Sequence, residues 1–337
     1  VHVAKQRKGF PLKGNFMSFV EHSQLSSFAD NYVNLGVSDV AGYRKQVENL
    51  REKLENYIAE KPSFELIKML GSGSVAKGTA LKTINDMDVA VYVRKGAEPV
   101  RDNELVPWVT ERLREAYKNI MKPDQFVAQD HSVGVHFKGS GLDVDVVPII
   151  SNDDKGEDGF LVHSGTGGRI LTSIPKHLQF IRKRKGKAKP AFAQTIRFIK
   201  WWKQLQVEQR DTFRLKSFMI ELVVAKLLDR GLDLSDYPKA LESVFGYIVR
   251  SGLKEIISFE DYYPTSKLPS TDGAPIRIYD PVNPQNNVAK GYTEQDRLNI
   301  VKAANQALEA MAAARFSTTK GEALDCWKEV LGPGMEA

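Results

Sequence analysis

The sequence has a single cysteine, Cys326, in 337 residues. No intrachain disulfide framework can hold it together, and it suits a reducing compartment. It has no apolar run near the roughly 20 residues that cross a bilayer. Its basic opening, VHVAKQRKGFPLKGN, lacks the apolar stretch of a signal peptide. A cytoplasmic protein with no membrane partner is expected. Its six histidines, His2, His22, His131, His136, His163 and His177, show no metal-ligand spacing. Acidic residues are not in excess: 48 Lys and Arg stand against 42 Asp and Glu, a net charge of +6. That balance is compatible with a polyanionic partner and leaves nucleotides, nucleic acid and anionic surfaces open.

What is present divides into two halves. Met17 opens MSFVEHSQL, so the first sixteen residues read as a vector-derived or upstream extension, and residues 1–24 are expected to lie outside the fold. From Ser38, Val40, Tyr43, Val47, Leu50, Leu54 and Tyr57 recur at helical spacing up to Pro62, predicting a long amphipathic helix. FELIKML, MDVAVYV, SVGVHF and LDVDVVPII read as strands of a small mixed sheet, with DNELVPWVTERLREAYKNIM as a helix over one face. SNDDKGEDG and HSGTGGR read as loops, and from Ile174 nearly everything reads as helix, with YDPVNPQNNVAKGY a polar loop between helices. The expectation is an α/β (α+β) fold: an α/β lobe at 25–172 that includes the long helix, and a helical lobe at 173–337.

The segment GSGSVAKGTALKTINDMDVAVYV, residues 71–93, carries the chemistry. A Walker loop is excluded, because Gly73 and Gly78 are correctly spaced but Thr79 stands where the lysine belongs. The pattern G-x-G-x-x-G starts at Gly71 and Gly73 but meets Ala76 at its sixth position, and no kinase motif follows. The aspartates offer a third reading. Asp86 and Asp88 are two apart on a strand and so share a face, with Met87, Val89 and Val91 on the other. Adjacent anions repel unless a cation neutralises them, and hard oxygen ligands suit Mg²⁺ held with substrate phosphates. LDVDVVPII repeats the alternation with Asp143 and Asp145, so a second strand can supply a third carboxylate. Taken singly, a Gly-Ser-Gly is usually a surface turn and an Asp-x-Asp usually a solvated face; their ordered conjunction is far less ordinary.

That order, a glycine-serine turn, Asp-x-Asp in an apolar strand, then a second apolar strand bearing Asp, resembles the polymerase-β-like nucleotidyltransferases. IRFIKWWKQL, RLKSFMIELVVAKLL and YDPVNPQNNVA look like the helical half of oligoadenylate synthetases and cyclic GMP-AMP synthase-like enzymes. PSFELIKMLGSGSVAKGTAL, GLDVDVVPII and KSFMIELVVAKLLD are similar to the bacterial CD-NTases of anti-phage (CBASS) defence, in particular the clades that travel with HORMA-domain and Trip13-like proteins. The resemblance runs from about residue 25 to the end of the sequence.

The resemblance implies a catalytic site. Asp86 and Asp88 would bind two Mg²⁺ ions, for which Mn²⁺ can substitute, and Asp145 would complete the metal site on the acceptor side, with Asp143 its rival on the same strand face. Gly73 and Ser74 would meet the donor triphosphate. Lys200 and Ser217 would reach it from the helical side, and Phe218 would stack on a base; as bland alternatives, Lys200 is a solvated helix lysine and Phe218 simple core. The implied substrates are NTPs, ATP favoured, and the product a cyclic di- or trinucleotide. A HORMA-type activator and a Trip13-like ATPase are the implied partners; a nucleic-acid activator has no local support. The competing readings are a linear oligoadenylate synthetase, an RNA-tailing enzyme, and an inactive RNA-binding module. IRKRKGKAKP reads as a solvated basic linker with polyphosphate attraction the alternative, and the acidic NDDKGEDG as solvated.

Overall fold

A computed structural model describes residues 19–60, 65–83, 86–97, 99, 101–270 and 273–335, with Val37, Ile58, Ala59 and Asp86 described by their backbones alone. The extension expected at 1–24 thus lies mostly outside the described residues. Of the part that is described, Phe19 and Val20 pack against the helical core while Glu21, His22 and Ser23 are exposed. Val20 is buried, and helix α1 (His22–Phe28) places Leu25 and Phe28 beside Ala29 and Val33 in the core built by the C-terminal helices. Packing therefore does not change at residue 25: the segment up to Val33 sits with the helices, because its apolar residues find their partners there.

The predicted long helix is α2 (Val37–Glu60), and its stripe buries Leu50 and Leu54 against a sheet. That sheet contains β1 (Leu66–Gly71), β2 (Asp86–Val93), β3 (Phe126–Ala128), β4 (Val133–Phe137) and β5 (Leu142–Ser151) in the order β1-β2-β5-β4-β3. A hairpin of β6 (Gly159–Val162) and β7 (Arg169–Thr172) joins along β5. Among the described strands of this sheet, only β2 and β5 pair in parallel. The short strands β3, β6 and β7 were not legible: three or four residues give too few alternations to show a period of two. SNDDKGEDG and HSGTGGR are the connections flanking β6.

Strand alternation sorts the faces as expected. Met87, Val89 and Val91 of β2 and Val144 and Val146 of β5 are buried under α2 and α4 (Leu105–Ala116). The opposite face carries the aspartates near the strand starts and becomes apolar further on, where Ala90, Tyr92 and Ile149 pack together. Helix α4 is shorter than DNELVPWVTERLREAYKNIM suggested, giving way at Tyr117 just before Asn119 at φ +70°.

The second, larger core is made by α5 (Ile174–Lys187), α6 (Ala191–Gln209), α7 (Ser217–Asp229), α8 (Tyr237–Ser251), α9 (Glu294–Phe316) and α10 (Lys320–Leu331). Ser173 caps α5 by accepting from the Lys176 amide, and Thr293 and Thr319 open α9 and α10 with capping boxes. The basic run IRKRKGKAKP is neither linker nor fully solvated. It forms the end of α5, where Arg184 is buried over the Phe180 ring and paired with Asp229 and with Asp261 at 2.9 Å. Lys183 and Lys187 hold the same two carboxylates from outside. Among the described residues, no helix is long and apolar enough to cross a membrane.

Candidate active site

The glycine-serine turn begins where β1 ends. The Ser72 amide donates to the Asp88 carbonyl at 2.7 Å, and the chain then makes a single helical turn, α3 (Gly73–Lys77), closed by Gly78 in the left-handed region. Gly73 is itself at φ +62°, and a Cβ built on it would lie 1.6 Å from Asp88 Oδ2. The turn is therefore moulded onto the aspartate strand, and glycine is required there twice over, by backbone conformation and by space.

The parallel register sets Asp86 opposite Asp143 and Asp88 opposite Asp145. On the far side of β5, β4 sets His136 opposite Asp143 and Gly134 opposite Asp145. Asp143 is engaged by the ring Nδ1 of His136 at 2.6 Å. Asp145 instead receives Gln129 Nε2 at 3.3 Å, and Gln129 is oriented by Ser132 Oγ, which donates to its Oε1 at 2.6 Å. A Cβ at Gly134 would lie 2.8 Å from Gln129 Nε2, so the glycine leaves room for that reach. Among the described residues no three His, Cys, Asp or Glu side chains converge as a metal site, and the side chain of Asp86 lies outside them. The donor set still fits a divalent cation: Asp88 and Asp145 are hard oxygen ligands on adjoining parallel strands, and the bare Cα of Gly73 makes the space that the Asp88 carboxylate occupies.

Across from the turn, Gly73, Ser74 and Asp88 share a cleft of about 500 Å³ with Lys200, Ser217 and Phe218. The structure thus brings six of the expected residues together. It also shows what holds them. Lys200 is 5% exposed. Its ammonium donates to Glu221 Oε1 at 2.7 Å, to Thr79 Oγ1 at 2.9 Å and to the Thr79 carbonyl at 3.3 Å. All three of its N–H groups are engaged. Burial lowers the Lys200 pKa, with Glu221 pulling the other way. Lys203, one turn along α6, also lines the cleft and lies 3.5 Å from Ser217 Oγ, its pKa lowered by partial burial. Phe218 is partly buried against the helical core, with Lys77 Nζ 4.7 Å from its ring centroid and His177 edge-on at 5.5 Å. His177 is in turn held by buried Asp280 at 2.7 Å, which ties the loop of residues 279–292 to the back of the cleft.

Glu221 was missed by sequence reasoning. Burial would push its carboxyl up, but Lys77 at 2.8 Å and Lys200 more than offset this and bring it down to about 2. The available signal was one acid in the apolar run SFMIELVVAKLL, four residues after Ser217 and so on the same helix face. Lys77, Lys203 and Gln129 were missed too; each reads as an ordinary polar residue until the sheet and the helices meet.

Residues 17–177 match the sequence profile of the Second Messenger Oligonucleotide or Dinucleotide Synthetase domain. Over 317 residues the chain is 44% identical to the cyclic AMP-AMP-AMP synthase of Escherichia coli strain MS 115-1, covering 94% of this chain and 98% of that one. The chain belongs to this synthetase family. As a CD-NTase it superposes on E. coli MS115-1 CdnC with ATP at a TM-score of 0.88 and 43% identity, over 95% of this chain and 100% of that one. It also matches CdnC in a complex with a HORMA protein at a TM-score of 0.87 and 44% identity, over 95% and 99%. The family's members are nucleotidyltransferases, and the fold expected from the aspartate and glycine-serine motifs is the fold observed.

Proposed function

We propose that this CD-NTase condenses ATP into a cyclic trinucleotide of adenosine, used as a second messenger in anti-phage defence. The single observation that carries the reading is Asp88, which lies against Gly73 in a cleft that also holds Ser217 and Phe218 and stands opposite Asp145 of the adjoining parallel strand. The 44% identical relative is named for a triadenylate product, and E. coli MS115-1 CdnC, on which this chain superposes, was solved with ATP.

In this reading Gly73 and Ser74 meet the donor triphosphate from the sheet side, and Ser217 and Lys203 meet it from the helical side. Asp86, Asp88 and Asp145 would hold Mg²⁺, which, when bound, acidifies the attacking ribose hydroxyl and stabilises the leaving pyrophosphate. Gln129 donates to one oxygen of Asp145 and so steadies the carboxylate on the acceptor side. Phe218 offers an aromatic face to a base, steadied by His177 behind it. The hydroxyl of one nucleotide displaces pyrophosphate from the α-phosphorus of the next, and ring closure repeats that step within the linear intermediate. Lys200 has a different part here from the one the resemblance implied: it secures the base of the cleft.

A HORMA-domain protein is the partner this reading favours, with a Trip13-like ATPase as its regulator, because CdnC of E. coli MS115-1 was solved in a HORMA complex. The test is incubation of purified protein with ATP and Mg²⁺, with and without the HORMA protein, followed by phosphatase treatment and mass spectrometry. A phosphatase-resistant mass of three AMP residues is the expected result. Only phosphatase-sensitive linear oligomers or tailed RNA would reject the cyclic product in favour of a linear synthetase or tailing enzyme.

A further inference from the structure

The segment that follows the glycine-serine turn is strapped to the helical half at consecutive residues. The backbone oxygens of Lys77, Gly78 and Thr79 accept, in order, from Lys185 Nζ at 3.2 Å, Arg197 Nη1 at 2.8 Å and Lys200 Nζ at 3.3 Å. Carbonyls at the end of a helix need partners from outside it, and here α5 and α6 provide them. The side chains are taken by one acid. Glu221 Oε2 accepts from Lys77 Nζ at 2.8 Å, and Oε1 accepts from Thr79 Oγ1 at 2.9 Å and Lys200 Nζ at 2.7 Å. Glu221, Thr79 and Lys200 are all buried.

Stability alone does not call for an acid at this place, since a buried ion pair can often be replaced by packed apolar groups with no loss. Its position suggests a different use. Glu221 lies one helical turn from Ser217, and Lys77 closes the same five-residue helix that Gly73 opens. We propose that Glu221 is the positioning residue of the donor site: by gripping Lys77 and Thr79 it holds α3 in place, so that Gly73 stays seated on Asp88 and Ser74 faces the donor phosphates. The same grip commits Lys77 and Lys200 to the carboxylate and leaves Lys203 as the cleft lysine for phosphate. This inference rests on the nucleotidyltransferase reading of the cleft; Glu221 itself touches no reacting group and acts through its two partners on the turn.

Two variants test it: Glu221→Gln, and the triple variant Lys77→Met/Lys200→Met/Glu221→Leu, which removes all three charges together and refills the space. Each is compared with the parent by melting temperature, by hydrogen exchange of the amides at 73–79, and by kcat and KM for ATP with Mg²⁺. The triple variant also takes the partners from the buried Thr79 hydroxyl and carbonyl, so it should melt moderately below the parent while remaining folded. Its Gly78 and Thr79 amides, which donate to Val75 and Ser74 carbonyls, should exchange at least about tenfold faster, and kcat should fall about 100-fold with a smaller change in KM, the scale expected when a reacting group is displaced by about an ångström. Parent-like exchange and kcat in the folded triple variant would overturn the proposal and leave Glu221 a packing charge. If the triple variant does not fold, the same two readouts on Glu221→Gln below its melting temperature decide the matter in the same way. A parent that transfers no nucleotide under any condition would instead reject the reading of the cleft, and the exchange comparison would still decide the strap.

Discussion

Asp88 occupies the space that a side chain on residue 73 would need: a Cβ on Gly73 would lie 1.6 Å from its Oδ2 and 2.5 Å from its Cγ. Two residues fifteen apart in sequence are thus fitted to each other without a gap, and the glycine-serine turn inherits its placement from the strand that carries Asp88.

Gly73→Ala should therefore damage function more than fold. Alanine at φ +62° costs about 1–2 kcal/mol of backbone strain, a modest loss of melting temperature. Displacing Asp88 or the turn by the width of a methyl group should lower kcat by about 100-fold or more. Steady-state kinetics beside a thermal melt would show the split; near-parent turnover would mean that turn and carboxylate are not coupled.

Asp88→Asn and Asp145→Asn should each cut turnover by about 10²–10³-fold or more, the cost of losing one preorganised electrostatic partner of the reacting phosphate. Asp86→Asn should behave alike. Asp143→Asn should be milder, since one oxygen of Asp143 is already held by His136 at 2.6 Å. Side-by-side rates settle the order, and the reverse ranking of 143 and 145 would shift the acceptor-side carboxylate by two residues.

The two cleft lysines should separate by phenotype. Lys200→Ala leaves buried Glu221 with Lys77 and Thr79 as its remaining partners, so the loss of stability should stay below the roughly 3–5 kcal/mol of a buried charge left with no partner. Lys203→Ala should leave the fold nearly unchanged and raise KM for ATP by about 10–100-fold, the worth of one charge-assisted bond to phosphate. Denaturant midpoints and KM values on both variants test the assignment; an unmoved KM for Lys203→Ala would remove that residue from the donor site.

Acid stability should report Glu221. Its folded pKa of about 2 lies below the ordinary 4.5, so its contribution is fully present above the unfolded value and is lost as pH falls through the folded one. The whole effect is about 3 kcal/mol, and about 2 kcal/mol of it should disappear between pH 5 and pH 3. The other carboxylates are common to parent and Glu221→Gln. Urea midpoints for the pair at these two pH values should therefore converge in acid by about that amount, and parallel slopes would deny the depressed pKa.

The sequence by itself determined the face of each aspartate-bearing strand. Alternation with a period of two is a local property, so Asp86 and Asp88 on one strand, and Asp143 and Asp145 on the other, had to share a face whatever surrounded them. The turn chemistry of Gly73 and the apolar stripe of α2 were local in the same sense. Tertiary structure alone decided the rest. The parallel register that sets Asp88 against Asp145 joins residues 57 apart, and the contact of Lys77 with Glu221 spans 144. No pattern within a strand or helix encodes such distances. Lys200 and Lys203 differ by one turn on one helix, and what separates them is the buried carboxylate that another helix brings to Lys200.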